Sequence, residues 1–511
     1  MSKPSEFDCL RRTKIVCSVG PSCEKAEVLS EMLKAGCNVF RINCSFGDYD
    51  LLRSYFQEIR KASAQTGLPC AILGDLQGPK FRTGEFTTDT IQLNVGDELD
   101  FVATKDKGNE KKITTPNTKL VAALKENDKV LINDGIMEIQ VIKKKSDTEA
   151  VVKVVRGGEL SKRKGLNVPT TEITFDDLEE KDKRDSIFLM ENGVDFIGQS
   201  FVQNAGDVQR LKKHLEENKK EGQSLPKIIV KIEKPKALEN YDAILAETDG
   251  VMVARGDLGV ELPYIVVPVV QKVLIRKANE AEKPVILATQ LLQSMMKETV
   301  PLRAEVSDVA NGVFDHTDAV MTSGETTMSP HPALVVQTMN DIVSSTEKRA
   351  PVKQVSLSHL TDVDEAREAI AFAGLEAAYK SSAKAIVVFS AEGTTALRLS
   401  KGRPDCPILA VTPHESVARA LRLSFAVYPI VLQFRSSHIE EQIAEVEKKV
   451  IEDGLVKRGD KVVICGGRSA PVAIRDALKI YRVGEFLELE EEKRKGVEGV
   501  KKQERIVMLS Q

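Results

Sequence analysis

Two hydrophobic periods alternate along this chain. Near-continuous apolar runs occur at 13–20 (TKIVCSVG), 38–45 (NVFRINCS) and 70–76 (CAILGDL), with amphipathic stretches such as 27–35 between them. They resume at 195–202, 227–233, 249–255, 284–290 and 318–324, again with helical stretches between, such as 205–218. A run that is apolar on both faces predicts a strand buried on both faces, as in a parallel sheet covered by helices. Three runs before the interruption and five after it make eight, the number that closes a (β/α)₈ barrel. An open doubly wound sheet fits the same pattern.

The interruption has its own rhythm. From about 83 to 169 the period falls to two, as in 90–95 (TIQLNV), 129–142 and 150–155 (AVVKVV), with Gly and Asp-Gly turns between the runs. This predicts a small all-β domain at 84–169, inserted into a barrel made of 13–83 and 170–347. The insertion leaves from the end of the barrel where active sites form, so a lid is the favoured role and a solvated decoration the alternative. After 347 a helical stretch (364–381) leads to strand candidates at 384–389, 407–411, 429–432, 461–465 and 505–509. These predict a C-terminal doubly wound α/β domain at 348–511, for effector binding or oligomerisation. Residues 1–12 read as a short leader.

Composition narrows the function. The chain has 511 residues, 42% hydrophobic and 29% charged, with a net charge of −3. Such a balance sets up no field for nucleic acid or an acidic membrane. Trp is absent and aromatics are 5%, which argues against a base-stacking surface. The eight cysteines form no CxxC pair, so reduced thiols and a cytoplasmic protein are expected. No apolar stretch reaches the ~18 residues that a membrane span needs.

The polar residues that follow the apolar runs carry the candidate chemistry, because a barrel builds its site at the C-terminal ends of its strands. Arg41, Asn43 and Ser45 follow the second run, Asp75 the third (with Lys80 and Arg82 beyond), Lys231 and Glu233 the fifth, Arg255, Gly256 and Asp257 the sixth, Thr289 and Gln290 the seventh, and Ser323 and Glu325 the eighth. Lys231 and Glu233 are two apart, so they share a strand face. With Asp257 from the next strand they suit a divalent cation and an anionic substrate; a structural Lys–Glu pair is the plainer alternative. VARGDLG (253–259) sets small residues where backbone N–H groups can approach an anion. Arg41 and Arg82 suit a phosphoryl group, or else surface ion pairs. The six histidines fall outside these segments, which disfavours His-based acid–base chemistry.

Several strings together resemble the pyruvate kinase family: TKIVCSVGPS, FRINCSFGDYD, GDLQGPKFRTG, KGLNVP, KIIVKIEKPKAL, DGVMVARGDLGVELP, PVILATQLLQSM and RAEVSDVANGVFDHTDAVMTSGETTMSPHP. The likeness runs from about 13 to 332 and weakens in the C-terminal domain. It implies Mg²⁺-dependent (or Mn²⁺-dependent) transfer of the phosphoryl group of phosphoenolpyruvate to ADP, giving pyruvate and ATP at the end of glycolysis, in a cytoplasmic homotetramer. Glu233 and Asp257 would hold the Mg²⁺. Ala254, Arg255 and Gly256 would line the phosphoenolpyruvate site together with Asp257. Lys231 would stabilise charge, Arg41 and Arg82 would hold phosphate oxygens, and Thr289 would position substrate and proton. Asn43, Ser45, Asp75 and Leu76 match a monovalent-cation shell. Asn43, Phe46, Arg82 and Lys164 would face the nucleotide, with Asp134 on the lid.

The departures from that family carry expectations of their own. Lys80 stands where potassium-dependent members carry Glu, so its ammonium would supply the charge of K⁺ and activity without K⁺ is expected; the alternative is a Lys80 turned to solvent. Phe46 replaces a usual His, and Lys236 and Met328 replace polar residues outside the catalytic set. The effector loop, SAEGTT at 390–395, offers Ser390, Thr394 and Thr395, with Arg468 as a nearby cation, but Glu392 would repel a phosphate. Weak or absent activation by a sugar bisphosphate is therefore expected. A magnesium-dependent lyase of the same substrate class, or a binding protein without turnover, are the competing readings. The nucleotide lid weighs against the first and the intact polar rim against the second.

Overall fold

The computed structural model describes residues 11–171, 173, 175, 177–349, 365–434, 438–466 and 477–489. The eight apolar runs become β1 (Lys14–Ser18), β2 (Val39–Asn43), β3 (Ala71–Asp75), β4 (Phe196–Gln199), β5 (Lys227–Ile232), β6 (Gly250–Ala254), β7 (Val285–Ala288) and β8 (Ala319–Thr322). All neighbours pair in parallel, and β1 pairs with both β2 and β8, so the sheet closes into a barrel. Alternation divides each strand between two cores. Val16, Val39, Leu73, Phe196, Ile229, Met252, Ile286 and Met321 fill the interior, and Leu423 from the C-terminal domain joins them. Ile15, Phe40, Ile72, Ile197, Val230 and Val253 face the surrounding helices. The continuous apolar runs of the sequence reflect this burial on both sides.

Between β3 and β4 the chain builds the insert. A seven-stranded sheet runs in the spatial order Phe81–Arg82, Gly165–Asn167, Lys129–Ile132, Met137–Ser146, Glu149–Arg156, Glu98–Ala103 and Lys112–Thr115. Gly158–Ser161 pairs separately with Thr90–Leu93, and one short helix, Thr118–Ala123, interrupts the strands. The alternating residues Phe101, Ile113, Val130, Ile132, Ile139, Val152 and Leu166 form a core of its own.

The C-terminal domain is a five-stranded sheet: β9 (Ala385–Phe389), β10 (Ile408–Thr412), β11 (Val427–Val431), β12 (Lys461–Gly466) and β13 (Leu478–Arg482), in the order β11-β10-β9-β12-β13. β13 is antiparallel to β12 and was not among the expected strands; the expected strand at 505–509 lies outside the described residues. The topological switch falls between β9 and β12, and the 390–395 loop leaves the end of β9 there.

This domain is locked onto the barrel foot by a buried ionic cluster. Lys401 Nζ meets Asp318 Oδ2 at 2.6 Å, and Arg403 Nη2 donates to Asn279 Oδ1 at 2.6 Å. The Arg403 guanidinium also lies over the Phe425 ring, 4.5 Å from its centroid. Nearby, Glu347 accepts from the backbone N–H groups of Arg12 and Thr13.

Candidate active site

The C-terminal ends of β2, β3, β4 and β5 bring a compact charged cluster together. Arg41 on β2 donates from Nε to Asp75 Oδ2 at 2.7 Å, meets the same oxygen through Nη2 at 2.6 Å, and donates from Nη1 to Ser18 Oγ at 2.8 Å. Lys231 Nζ on β5 stands 2.9 Å from Glu233 Oε1 and 3.4 Å from Asp75 Oδ1, and donates to Ser200 Oγ at 2.9 Å. Asp75, Lys231 and Glu233 are all buried. Burial pulls the Lys231 ammonium down, but the charges of Asp75 and Glu233 outweigh it and raise its proton affinity above the ordinary lysine value. Burial likewise opposes the charge of Asp75, yet Lys231 and Arg41 hold its carboxyl below the usual range. The lysine is thus a fixed cation.

Glu233 has unlike contacts on its two oxygens. Its Oε2 accepts the Phe201 N–H at 2.9 Å, while Oε1, in ion-pair contact with Lys231, has no aligned hydrogen bond. Burial and, after the opposing pull of Lys231, the charge of Asp257 raise its carboxyl above the usual glutamate value. Phe201 reaches it from a left-handed conformation, φ 57°, costly for a bulky residue and sustained by the surrounding packing. The loop leaving β3 makes room beside it. Gly78, at φ 68°, donates to Asp182 Oδ1 at 3.1 Å, and a Cβ there would fall 2.9 Å from Ser200 Cβ.

β6 ends directly in a short helix, Arg255–Glu261. Its Gly256 N–H donates to Thr289 Oγ1 at 2.8 Å, and that hydroxyl donates to the Ala288 carbonyl at 2.6 Å. Thr289 is itself left-handed at φ 73°, a strained state for a β-branched side chain. The Arg255 guanidinium is engaged by Asp308 at 2.8 Å, Gln271 at 3.2 Å and the Thr289 carbonyl at 2.7 Å. That residue therefore braces the rim with its side chain and offers the mouth its backbone. Lys80 Nζ lies 3.5 Å from Asp257 Oδ1, with the lysine side chain 26% exposed. It is turned toward the acid at the rim.

The residues proposed as a monovalent-cation shell sit on adjacent strands. Asn43 is in register with Asp75, its Oδ1 accepts the Ser45 N–H at 3.0 Å, and the Leu76 carbonyl accepts from Ser200 Oγ at 2.7 Å. Phe46 is 70% exposed beyond them. Arg82 lies on the insert, where its Nη1 donates to the Arg163 carbonyl at 3.2 Å. Lys164 joins the same strand pair: its N–H donates to Thr83 Oγ1 at 2.9 Å and its carbonyl accepts the Thr83 N–H at 2.8 Å. Asp134 lies in a left-handed turn with Asn133 and Gly135, φ 54°, 53° and 80°, and a Cβ on Gly135 would come 3.7 Å from Val260 Cγ1. The insert therefore touches the helix that carries Asp257. In the C-terminal loop, Ser390 is buried with its Oγ unpartnered, Thr394 and Thr395 open the helix Thr394–Lys401, and Arg468 lies outside the described residues.

Among the described residues no group of three or more His, Cys, Asp or Glu could form a metal cage. Glu233 and Asp257 still fit a magnesium ion, which needs only one or two carboxylates and fills its other positions with water and substrate oxygens. The unaligned, buried Oε1 of Glu233 is a donor atom of the right kind. Ser18, Ser200 and Phe201 were not singled out from sequence. Ser200 and Phe201 lie at the end of the apolar run 195–202, just after β4, the same position that marked the other rim residues.

Comparison with known proteins finds one family along most of the chain. The family model described as "Pyruvate kinase, barrel domain" matches residues 10–336, and "Pyruvate kinase, alpha/beta domain" matches 368–480. A pyruvate kinase of Bacillus licheniformis is 39% identical over 487 residues, covering 94% of this chain and 81% of the relative. One from Thermotoga maritima is 36% identical, covering 93% and 100%. The crystal structure of a pyruvate kinase from Cryptosporidium parvum superposes with a TM-score of 0.86 at 34% identity, covering 93% of this chain and 96% of that one.

Proposed function

The chain belongs to the pyruvate kinase family, and from that premise we propose that its barrel mouth transfers the phosphoryl group of phosphoenolpyruvate to ADP. The observation that carries this reading is the buried Lys231 cation held between Glu233 and Asp75 at the strand ends. In the reaction the bond between phosphorus and the enol oxygen breaks, and a β-phosphate oxygen of ADP takes the phosphoryl group. The enolate left behind is protonated on carbon to give pyruvate. Catalysis of this kind is positioning plus charge stabilisation.

The chain's own residues take the following roles in this proposal. Lys231 faces the charge that develops as the phosphoryl group moves, and needs no reorganisation because Asp75, Glu233 and Ser200 already hold it. Arg41, fixed by Asp75 and Ser18, directs its remaining N–H groups to phosphate oxygens. The backbone of Ala254–Gly256, pinned through Thr289, lines the substrate, and Thr289 orients it for protonation. Glu233 and Asp257 would hold Mg²⁺, which when bound supplies charge neutralisation to the phosphate and enolate oxygens. Asn43, Phe46, Arg82 and Lys164 face the nucleotide, and Asp134 closes over it.

Two finer readings complete the proposal. First, Lys80 takes the place of K⁺: its ammonium beside Asp257 adds a fixed positive charge to the rim. Second, the enzyme is a cytoplasmic homotetramer acting in glycolysis. The seven described cysteines are free thiols, in keeping with a reducing compartment. Tyr264, Ile265 and Val269, exposed by 81%, 69% and 65%, offer an apolar face to a second copy. No helix among the described residues is long and apolar enough to cross a membrane. Pyruvate release from phosphoenolpyruvate and ADP, followed with Mg²⁺ and then with excess chelator, tests the main reading. Turnover that persists without a divalent ion would count against the role given to Glu233 and Asp257.

A further inference from the structure

Glu261 ends the short helix after β6 and is only 4% exposed, as is Asn167 from the insert. Asn167 Nδ2 donates to Glu261 Oε1 at 2.8 Å, and Lys234 Nζ reaches the same oxygen at 2.5 Å. The other oxygen, Oε2, is buried without a hydrogen-bond partner. A buried carboxylate is tolerated only while a cation and donors hold it, so this acid depends on one barrel lysine and one amide from the insert. The Lys234 ammonium also lies 5.7 Å from the centroid of the Phe201 ring, and Phe201 is the residue whose N–H holds Glu233.

Asn167 occupies a central place in the insert. Its strand, Gly165–Asn167, pairs on one side with Phe81–Arg82 and on the other with Lys129–Ile132. The first neighbour carries Arg82. The second leads into the 133–135 turn that bears Asp134 and comes against Val260, one residue from Glu261. Lys164 immediately precedes the strand, and Lys80 Cε lies 3.6 Å from where a Cβ of Gly165 would be. Holding Asn167 therefore holds Arg82, Asp134 and Lys164 in register with the rim.

We propose that Glu261 is a lid-positioning residue: with Lys234 compensating its charge, it captures Asn167 and seats the insert over the barrel mouth, thereby setting nucleotide affinity. It touches no substrate and acts only through Asn167. The inference rests on the reading of the mouth as the phosphoenolpyruvate site and the insert as the nucleotide side.

The test is steady-state kinetics of the full chain for Asn167→Ala, Asn167→Asp and the double variant Asn167→Asp/Glu261→Gln, with KM for ADP and for phosphoenolpyruvate measured separately. Losing the amide donor in Asn167→Ala raises KM for ADP by about fivefold, the scale of one net hydrogen bond. Asn167→Asp sets two carboxylates against each other and raises it further. The double variant restores a donor–acceptor pair, with Gln donating to Asp, and recovers most of the loss. KM for phosphoenolpyruvate stays within about twofold throughout, because its contacts lie on the barrel rim. Equal changes in both KM values, no change in KM for ADP, or no recovery in the double variant would each overturn the proposal. Because wild-type turnover is measured alongside, an unchanged KM for ADP in an active enzyme removes the latch and leaves the parent reading intact.

Discussion

Lys80 points its ammonium at Asp257, with Nζ and Oδ1 3.5 Å apart, across the gap between the loop after β3 and the helix after β6. A mobile monovalent cation is exchangeable, whereas a tethered one is always present. Wild-type turnover is therefore expected to change by less than about twofold between Na⁺ and K⁺ buffers of equal ionic strength, since screening alone is then constant. Lys80→Glu should lower activity in Na⁺ and regain part of it in K⁺. Strong K⁺ activation of the wild type would remove Lys80 from this role.

Thr289 stores backbone strain in exchange for a hydrogen bond. At φ 73° its left-handed conformation costs of order 1 kcal/mol for a non-glycine residue, and its hydroxyl receives the Gly256 N–H. Thr289→Gly relieves the strain and loses the hydroxyl. Its thermal stability is expected to stay within about 1 kcal/mol of wild type while kcat falls by roughly a hundredfold, the size of one lost orienting group at a reacting centre. Unchanged kcat would show that the hydroxyl serves the backbone alone.

Lys231 and Glu233 show what could be read from the chain itself. Period two on β5 sets Lys231 and Glu233 on one face, and both meet at the rim with Asp75. The continuous apolar runs mark parallel strands filled on both faces, while the closure itself appears only in the pairing of β1 with β8. What local pattern does not carry is long-range pairing and backbone strain. The bond between Asn167 and Glu261 spans 94 positions, and nothing about a phenylalanine announces the left-handed turn of Phe201. β13 is not legible in the sequence because LKIYR has an exposed, polar-interrupted pattern, as an antiparallel edge strand does. Arg82 reads as a rim residue from its nearness to β3, yet its strand belongs to the insert.

The barrel foot is expected to give the protein a pH-dependent stability. Burial first, and then the charge of Arg403, lower His316 to about 4, and its Nδ1 is buried without a partner. An unfolded histidine titrates near ~6.5. Between these values the unfolded chain binds a proton that the folded chain refuses, so this residue costs stability as pH falls from about 6.5 toward about 4. His316→Asn tolerates the local φ of 67° and removes the titration. In denaturant titrations from pH 7 to pH 4, the stability of the variant relative to wild type should rise steadily as the medium is acidified. A difference independent of pH would mean that His316 takes up its proton as readily in the folded chain as in the unfolded one.

Lys231 carries the central claim, and single-turnover transfer measured on Lys231→Met tests it most directly. Enzyme in excess over phosphoenolpyruvate, with saturating ADP and Mg²⁺, is quenched at intervals and assayed for pyruvate, with a melting curve recorded on the same preparation. The account predicts a folded variant whose transfer step is slower by roughly a hundredfold or more, as expected on losing the preorganised charge at the phosphoryl group. Transfer at the wild-type rate in a folded Lys231→Met protein would contradict it.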